Sequence, residues 1–207
     1  MSAPQGFAYY PRVFDGKETK ALLGSLLAEK GWEGVSGARG ARQVLQYGKR
    51  YVYSSRGLGE APAPPERLAG LVPLEDGSCS WDQIIVNRYL SGQKITPHVD
   101  NVKHFGGCVA CVSLGAAAVV TFATPSGRVV FRQKVEDGSL YVMTGDARYT
   151  YTHQADPPQG EMRLSITFRT LGPGTEARVR SPAPGPAPGP AAQPPPDDDP
   201  IWADFGL

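Results

Sequence analysis

The chain has 207 residues, a formal net charge of +1 and 41% hydrophobic residues, which suits one domain with a real core. No apolar run approaches the roughly 18 residues of a membrane span, and the first residues lack the basic and apolar regions of a signal peptide, so none is expected. Three cysteines, Cys79, Cys108 and Cys111, give no disulfide framework, and an intracellular setting, cytoplasmic or nuclear, is expected.

Taken in chain order, Asp15 followed by Glu18 reads as a capping box. Leu22, Leu23, Leu26 and Leu27 share one helical face behind it, so a helix is predicted over Lys17 to Lys30, ended by Gly31. Between Val35 and Gly59 stand Arg39, Arg42, Lys49, Arg50 and Arg56 with no acidic residue. Such a stretch serves either as a solvated basic face or as an attraction for a polyanion such as nucleic acid. Gln43 to Ser54 alternates well enough for one or two strands around Gly48, and Pro62 to Pro73 reads as a short helix.

From Trp81 the pattern changes to short strands separated by turn residues. The candidates are Gln83–Leu90, Ile95–Val99, Cys108–Leu114, Ala118–Thr124, Val129–Lys134, Ser139–Thr144, Tyr149–Gln154 and Arg163–Thr170. The expected fold is mainly β (α+β), a jelly roll or barrel with the earlier helices buttressing one sheet. Cys108 and Cys111, three apart on a strand, face opposite ways and belong to packing rather than to a metal. After Leu171 the chain turns Gly/Pro-rich, with Pro-Ala-Pro-Gly at Pro182 and again at Pro186, and it ends in an acidic peptide carrying Ile201, Trp202 and Phe205. The expected division is a domain over residues 1–172 and a disordered tether over 173–207 whose terminal peptide docks a protein partner, folds back on the domain or does neither.

The chain has three histidines, His98, His104 and His153. His98 and Asp100 are two apart on a predicted strand and leave the same face, and His153 lies on a later strand. Two histidines and a carboxylate make a facial triad suited to non-heme Fe(II), although a His-x-Asp taken alone serves equally as a hydrogen-bonding pair. His104 reads as a loop histidine. In Arg163-Leu-Ser-Ile-Thr-Phe-Arg169 the odd residues Arg163, Ser165, Thr167 and Arg169 share one face, which suits a buried dicarboxylate, or else the polar side of an edge strand. Asn87 and Tyr89 share a face and are placed to hydrogen-bond an acidic ligand, or to pair across strands.

In this order Asn87-x-Tyr89-x-x-Gly92-x-x-Ile95-x-x-His98-x-Asp100, Val112-Ser-Leu-Gly115, His153 and Arg163-x-Ser-x-Thr-x-Arg169 resemble the AlkB family of Fe(II)/2-oxoglutarate-dependent dioxygenases. The stretch from Gly138 to His153 looks most like the branch containing tRNA wobble-uridine hydroxylases, whose neighbouring RNA-recognition and methyltransferase domains have no counterpart here. Ser165 stands where many members have Asn. The resemblance implies a double-stranded β-helix, Fe(II) on His98, Asp100 and His153, O2, and 2-oxoglutarate held by Arg163, Arg169, Tyr89 and Asn87. It implies oxidative demethylation or hydroxylation of modified nucleobases in RNA or single-stranded DNA by a monomer. Gln46-Tyr-Gly-Lys-Arg-Tyr-Val-Tyr53 looks like the family's substrate-facing segment, which makes Tyr47, Tyr51 and Tyr53 candidates for base stacking and Arg50 for phosphate. An oxygenase acting on protein or a small molecule, and a non-catalytic nucleic-acid-binding module, are the alternatives.

Overall fold

The computed structural model describes residues 2–35, 41–75, 81–156, 162–172 and 182. Cys79, Arg39 and the predicted tether with its terminal peptide, Pro182 excepted, lie outside them.

The chain opens with a strand, β1 (Phe7–Tyr10), and a helix, α1 (Gly16–Leu27). The predicted capping box is present: the Asp15 carboxylate accepts from Lys17 N and Glu18 N, and the Glu18 carboxylate accepts from Asp15 N. The helix ends earlier than predicted, capped at Ala28, and the left-handed Gly31 follows three residues on. Then come β2 (Glu33–Gly34), β3 (Gln43–Val52), β4 (Gly57–Glu60) and α2 (Glu66–Ala69). The helix predicted over Pro62 to Pro73 shrinks to α2, because the prolines ahead of it donate no backbone N–H and exclude a longer helical start.

The eight strands predicted after Trp81 are present as β5 (Gln83–Tyr89), β6 (Ile95–His98), β7 (Phe105–Gly115), β8 (Ala118–Ala123), β9 (Val129–Val135), β10 (Ser139–Met143), β11 (Thr152–Asp156) and β12 (Arg163–Leu171). A helical turn, α3 (Gly145–Tyr149), lies between β10 and β11, so the strand expected from Tyr149 begins three residues later.

These strands form two antiparallel sheets, a jelly roll. The larger runs β1-β10-β7-β12-β5-β3-β2, with β4 paired to β3; the smaller runs β6-β11-β8-β9. Along the central strands of the larger sheet, alternation assigns the two faces. Leu164, Ile166 and Phe168 of β12, Ile84 and Val86 of β5, and Cys108, Ala110 and Val112 of β7 pack in one core with Leu26 of α1. As predicted, the helix buttresses this face. On the other face Val109 and Cys111 pack with Val120 and Phe122 of the smaller sheet. Cys108 and Cys111 thus lie in different cores, and neither is in a disulfide.

Candidate active site

Next to the core between the sheets is a cavity of about 570 Å³. The polar residues of the alternating strands line it: Asn87 and Tyr89 from β5, and Arg163, Ser165, Thr167 and Arg169 from β12. They are neighbours by register, with Arg163 opposite Tyr89 and Ser165 opposite Asn87.

His98, Asp100 and His153 also line the cavity. β6 pairs with β11 so that His98 and His153 are direct partners, with ring centroids 4.4 Å apart. One nitrogen or oxygen from each of the three residues lies within 4.8 Å of the others. His98 Nδ1 donates to Thr96 O at 2.8 Å, which leaves Nε2 bearing the lone pair. Burial and the neighbouring His98 push the His153 imidazole down to about 3, against the opposing pull of Asp100, so it is neutral at physiological pH. Burial pushes the Asp100 carboxyl up, but Arg169, His153, His98 and Arg148 together outweigh it, and the group is held below the usual carboxylate range.

Asp100 Oδ1 accepts from Arg169 Nη2 at 2.5 Å, whereas Oδ2, like His153 Nδ1, is buried with no hydrogen-bond partner. A buried polar atom so left costs about 1–3 kcal/mol. Two imidazoles and an ionised carboxylate are the ligand types of an Fe(II) facial triad, so the residues fit that ion.

Arg163 is almost fully buried. Its Nε donates to Ser113 Oγ at 3.1 Å, its guanidinium lies 5.5 Å from the Tyr89 ring centre, and its Nη2 has no hydrogen-bond partner. A buried guanidinium with an unused N–H edge suits a carboxylate.

Residues 6–169 match the 2OG-Fe(II) oxygenase superfamily along most of the chain. The chain belongs to that superfamily. Within it the chain is similar to proteins named as AlkB homologues. It is 28% identical to the Xenopus tropicalis tRNA (carboxymethyluridine(34)-5-O)-methyltransferase alkbh8 over 83% of its own length and 28% of the relative's. To an Arabidopsis thaliana alkylated DNA repair protein ALKBH8 homolog it is 28% identical, over 72% of the chain and 50% of the relative. The chain therefore spans between a quarter and a half of these curated relatives. Among solved structures, that of OsALKBH1 superposes with a TM-score of 0.65 at 19% identity, covering 82% of this chain and 99% of that one, which establishes the shared jelly-roll fold.

The remaining candidates divide. Tyr51 and Tyr53 line the oxygenase's cavity and meet edge to face, with ring centroids 5.2 Å apart. Tyr47 does not: it is buried in the helix-side core, which corrects its expected role in stacking. The cause is Gly48, left-handed at φ +73, where β3 leaves β5 and takes β4 as its partner. Before Gly48 the even residues Arg42, Val44 and Gln46 share the face of Asn87; after it the odd residues Tyr51 and Tyr53 take the cavity side. Arg50, the candidate for phosphate, lies apart from the tyrosines. It lies off the cavity and is ion-paired to Glu33 at 2.5 Å. Lys49 is paired to Glu60. Two of the five basic residues in the stretch read from sequence are thus paired with glutamates just outside it.

Arg42 enters the site instead. Its Nε donates to Asn87 Oδ1 at 3.0 Å, and its guanidinium carbon is 5.9 Å from the ring centres of both Tyr53 and Tyr89. Sequence reading counted it among five basic residues without separating it from them. Arg56 also lines the cavity, and His104, in the loop ahead of β7, meets Arg56 O at 3.2 Å.

Proposed function

We propose that this chain is an Fe(II)/2-oxoglutarate-dependent dioxygenase that oxidises modified nucleobases in RNA or single-stranded DNA. One observation carries this reading: the metal-ligand set, the buried Arg163 and a pair of tyrosine rings share one cavity. His98, Asp100 and His153 would hold the Fe(II). Arg163 would take the distal carboxylate of 2-oxoglutarate, with Tyr89 against its guanidinium and Asn87 beside Ser165 at 3.4 Å. With 2-oxoglutarate and O2, the metal centre supplies oxidation of an unactivated C–H bond. The chain's own residues orient the reactants and keep water out. Arg169 bridges Gln83 and Asp100, so the carboxylate that would meet the metal is fixed in rotation before any ligand arrives.

Tyr51 and Tyr53 offer flat faces to a base turned out of its stack. Arg42, between Tyr53 and Tyr89 and without an acidic partner among the described residues, offers its terminal N–H groups to an anionic oxygen of the same substrate. The names of the relatives, which act on a tRNA uridine or on alkylated DNA, agree with a nucleic-acid substrate.

Purified protein with Fe(II), ascorbate and 2-oxoglutarate is expected to release succinate, faster when methylated oligonucleotides are added. Nucleoside mass spectrometry of treated total RNA then identifies the base, and formaldehyde release separates demethylation from stable hydroxylation. Turnover stimulated by peptides and by no oligonucleotide would overturn the substrate assignment. Asp100→Ala is expected to abolish turnover with the fold intact; retained activity would refute the site.

A further inference from the structure

Arg148 is 1% exposed and carries one of the largest fully buried side chains among the described residues. No carboxylate lies within ion-pairing distance of it among those residues. Its guanidinium is spent on backbone instead. Nη1 donates to Asp100 O at 2.9 Å, Nη2 to Phe105 O at 3.2 Å and Nε to Gly106 O at 3.1 Å.

These three carbonyls belong to one reversal of the chain. His98 ends β6, Asp100 follows two residues on, and Phe105 N returns to Asn101 O at 3.0 Å as β7 begins. Only a planar fork with donors on three nitrogens spans both limbs of such a loop at once. Arg148 itself sits on α3, five residues ahead of His153. α3 is tied down in turn, since Ala147 N donates to Gln5 O at 3.0 Å. One side chain therefore joins the segment presenting Asp100 to the segment leading into His153, from outside the ligand set.

We propose that Arg148 is a positioning residue for the metal site: it clamps the Asp100 loop so that the carboxylate meets His98 and His153 before the ion binds. This rests on His98, Asp100 and His153 being the metal ligands. Partners that orient ligands in this way typically contribute roughly 10- to 100-fold in metal affinity. A lysine at this position keeps the charge but concentrates its donors on one nitrogen and cannot bridge the three carbonyls.

The test is a Co(II) titration of the full-length, metal-free protein, followed by visible absorption and by thermal unfolding. Arg148→Lys and Arg148→Gln are compared with Trp81→Phe, which removes a buried hydrogen bond of 2.7 Å to Val72 O in the helix-side core. The expected result is Co(II) affinity weakened roughly 10-fold or more in the Arg148 variants, with Trp81→Phe binding as the wild type does. If Arg148→Gln fails to fold, Arg148→Lys carries the comparison. Folded Arg148 variants that bind Co(II) like the wild type would overturn the proposal. So would a loss in all three variants that tracks their loss of unfolding midpoint, since that assigns Arg148 to stability alone. A wild-type protein that does not bind Co(II) would overturn the ligand assignment itself, a failure distinguishable from the other two.

Discussion

At the scale of single residues, the site is built by making buried polar groups rely on one another. Asp100 meets Arg169 through its side chain and Arg148 through its main chain. Arg163 has Ser113 and the Tyr89 ring, and still keeps one buried N–H without a partner. A 2-oxoglutarate carboxylate would supply that partner. Arg163→Gln is therefore expected to raise the 2-oxoglutarate concentration needed for half-maximal succinate release by roughly 30-fold or more, since truncating one side of a buried hydrogen-bonded charge pair costs about 2–5 kcal/mol. Co(II) affinity should change far less, because Arg163 makes no hydrogen bond to the triad residues. Equal losses in both measurements would mean that Arg163 acts through the fold. The chemistry-bearing residues on strands were legible because alternation is a strict period: Arg163, Ser165, Thr167 and Arg169, with Asn87 and Tyr89, face the cavity as their spacing requires. Arg148 was not legible. It sits on a single helical turn, its partners are backbone carbonyls, and backbone acceptors leave no mark in a sequence.

At the scale of elements, β3 shows how one residue redirects a strand. Gly48 has φ +73, and a Cβ built there would lie 2.2 Å from the backbone oxygen of Asp82. Its own N donates to Pro62 O at 2.8 Å, and Lys49 N donates to Asp82 O at 2.9 Å. The strand keeps running but exchanges its faces, which sends Tyr47 to the core and Tyr51 to the cavity. Gly48→Ala meets both the left-handed backbone and the clash, so a loss of about 1–3 kcal/mol in urea unfolding is expected. Because the cavity-facing tyrosines follow Gly48 while β5 and β12 do not, the variant should lose oligonucleotide stimulation of turnover more than basal 2-oxoglutarate consumption. A variant losing both in parallel would show that β3 carries no separate substrate function. The sequence pointed to a break at Gly48 but not to its consequence, since a change of face depends on which partner strand each half meets. The short β1, β2 and β4 went unread for a related reason: two to four residues are too few for a period, and only their pairing, of Phe7 with Met143, Glu33 with Val44 and Gly57 with Val52, defines them as strands.

At the scale of the whole molecule, the question is where the oxygenase unit stops. The superfamily match ends at residue 169 and β12 at Leu171. Leu171 N still donates to Asp82 Oδ2 at 2.7 Å, and Gly172 N to His104 O at 3.0 Å, so the fold holds the chain through that residue. We propose that the chain beyond Gly172, Pro/Gly-rich and then acidic and aromatic in sequence, docks a protein partner through its last residues. Ile201, Trp202 and Phe205 among aspartates make up the kind of short apolar and acidic motif that a protein partner recognises. A protein ending at Gly172 is then expected to unfold within about 2 °C of the full chain, less than the roughly 2–4 °C per kcal/mol typical of a domain this size. It should also consume 2-oxoglutarate at the same rate. A larger fall in midpoint would mean instead that the terminal segment packs back on the jelly roll. A rise in turnover on truncation would mean that it reaches the cavity, where Arg42 and Arg56 would attract its aspartates. Differential scanning calorimetry and succinate release on the two proteins distinguish these three arrangements, and only the first leaves Ile201, Trp202 and Phe205 available to another molecule.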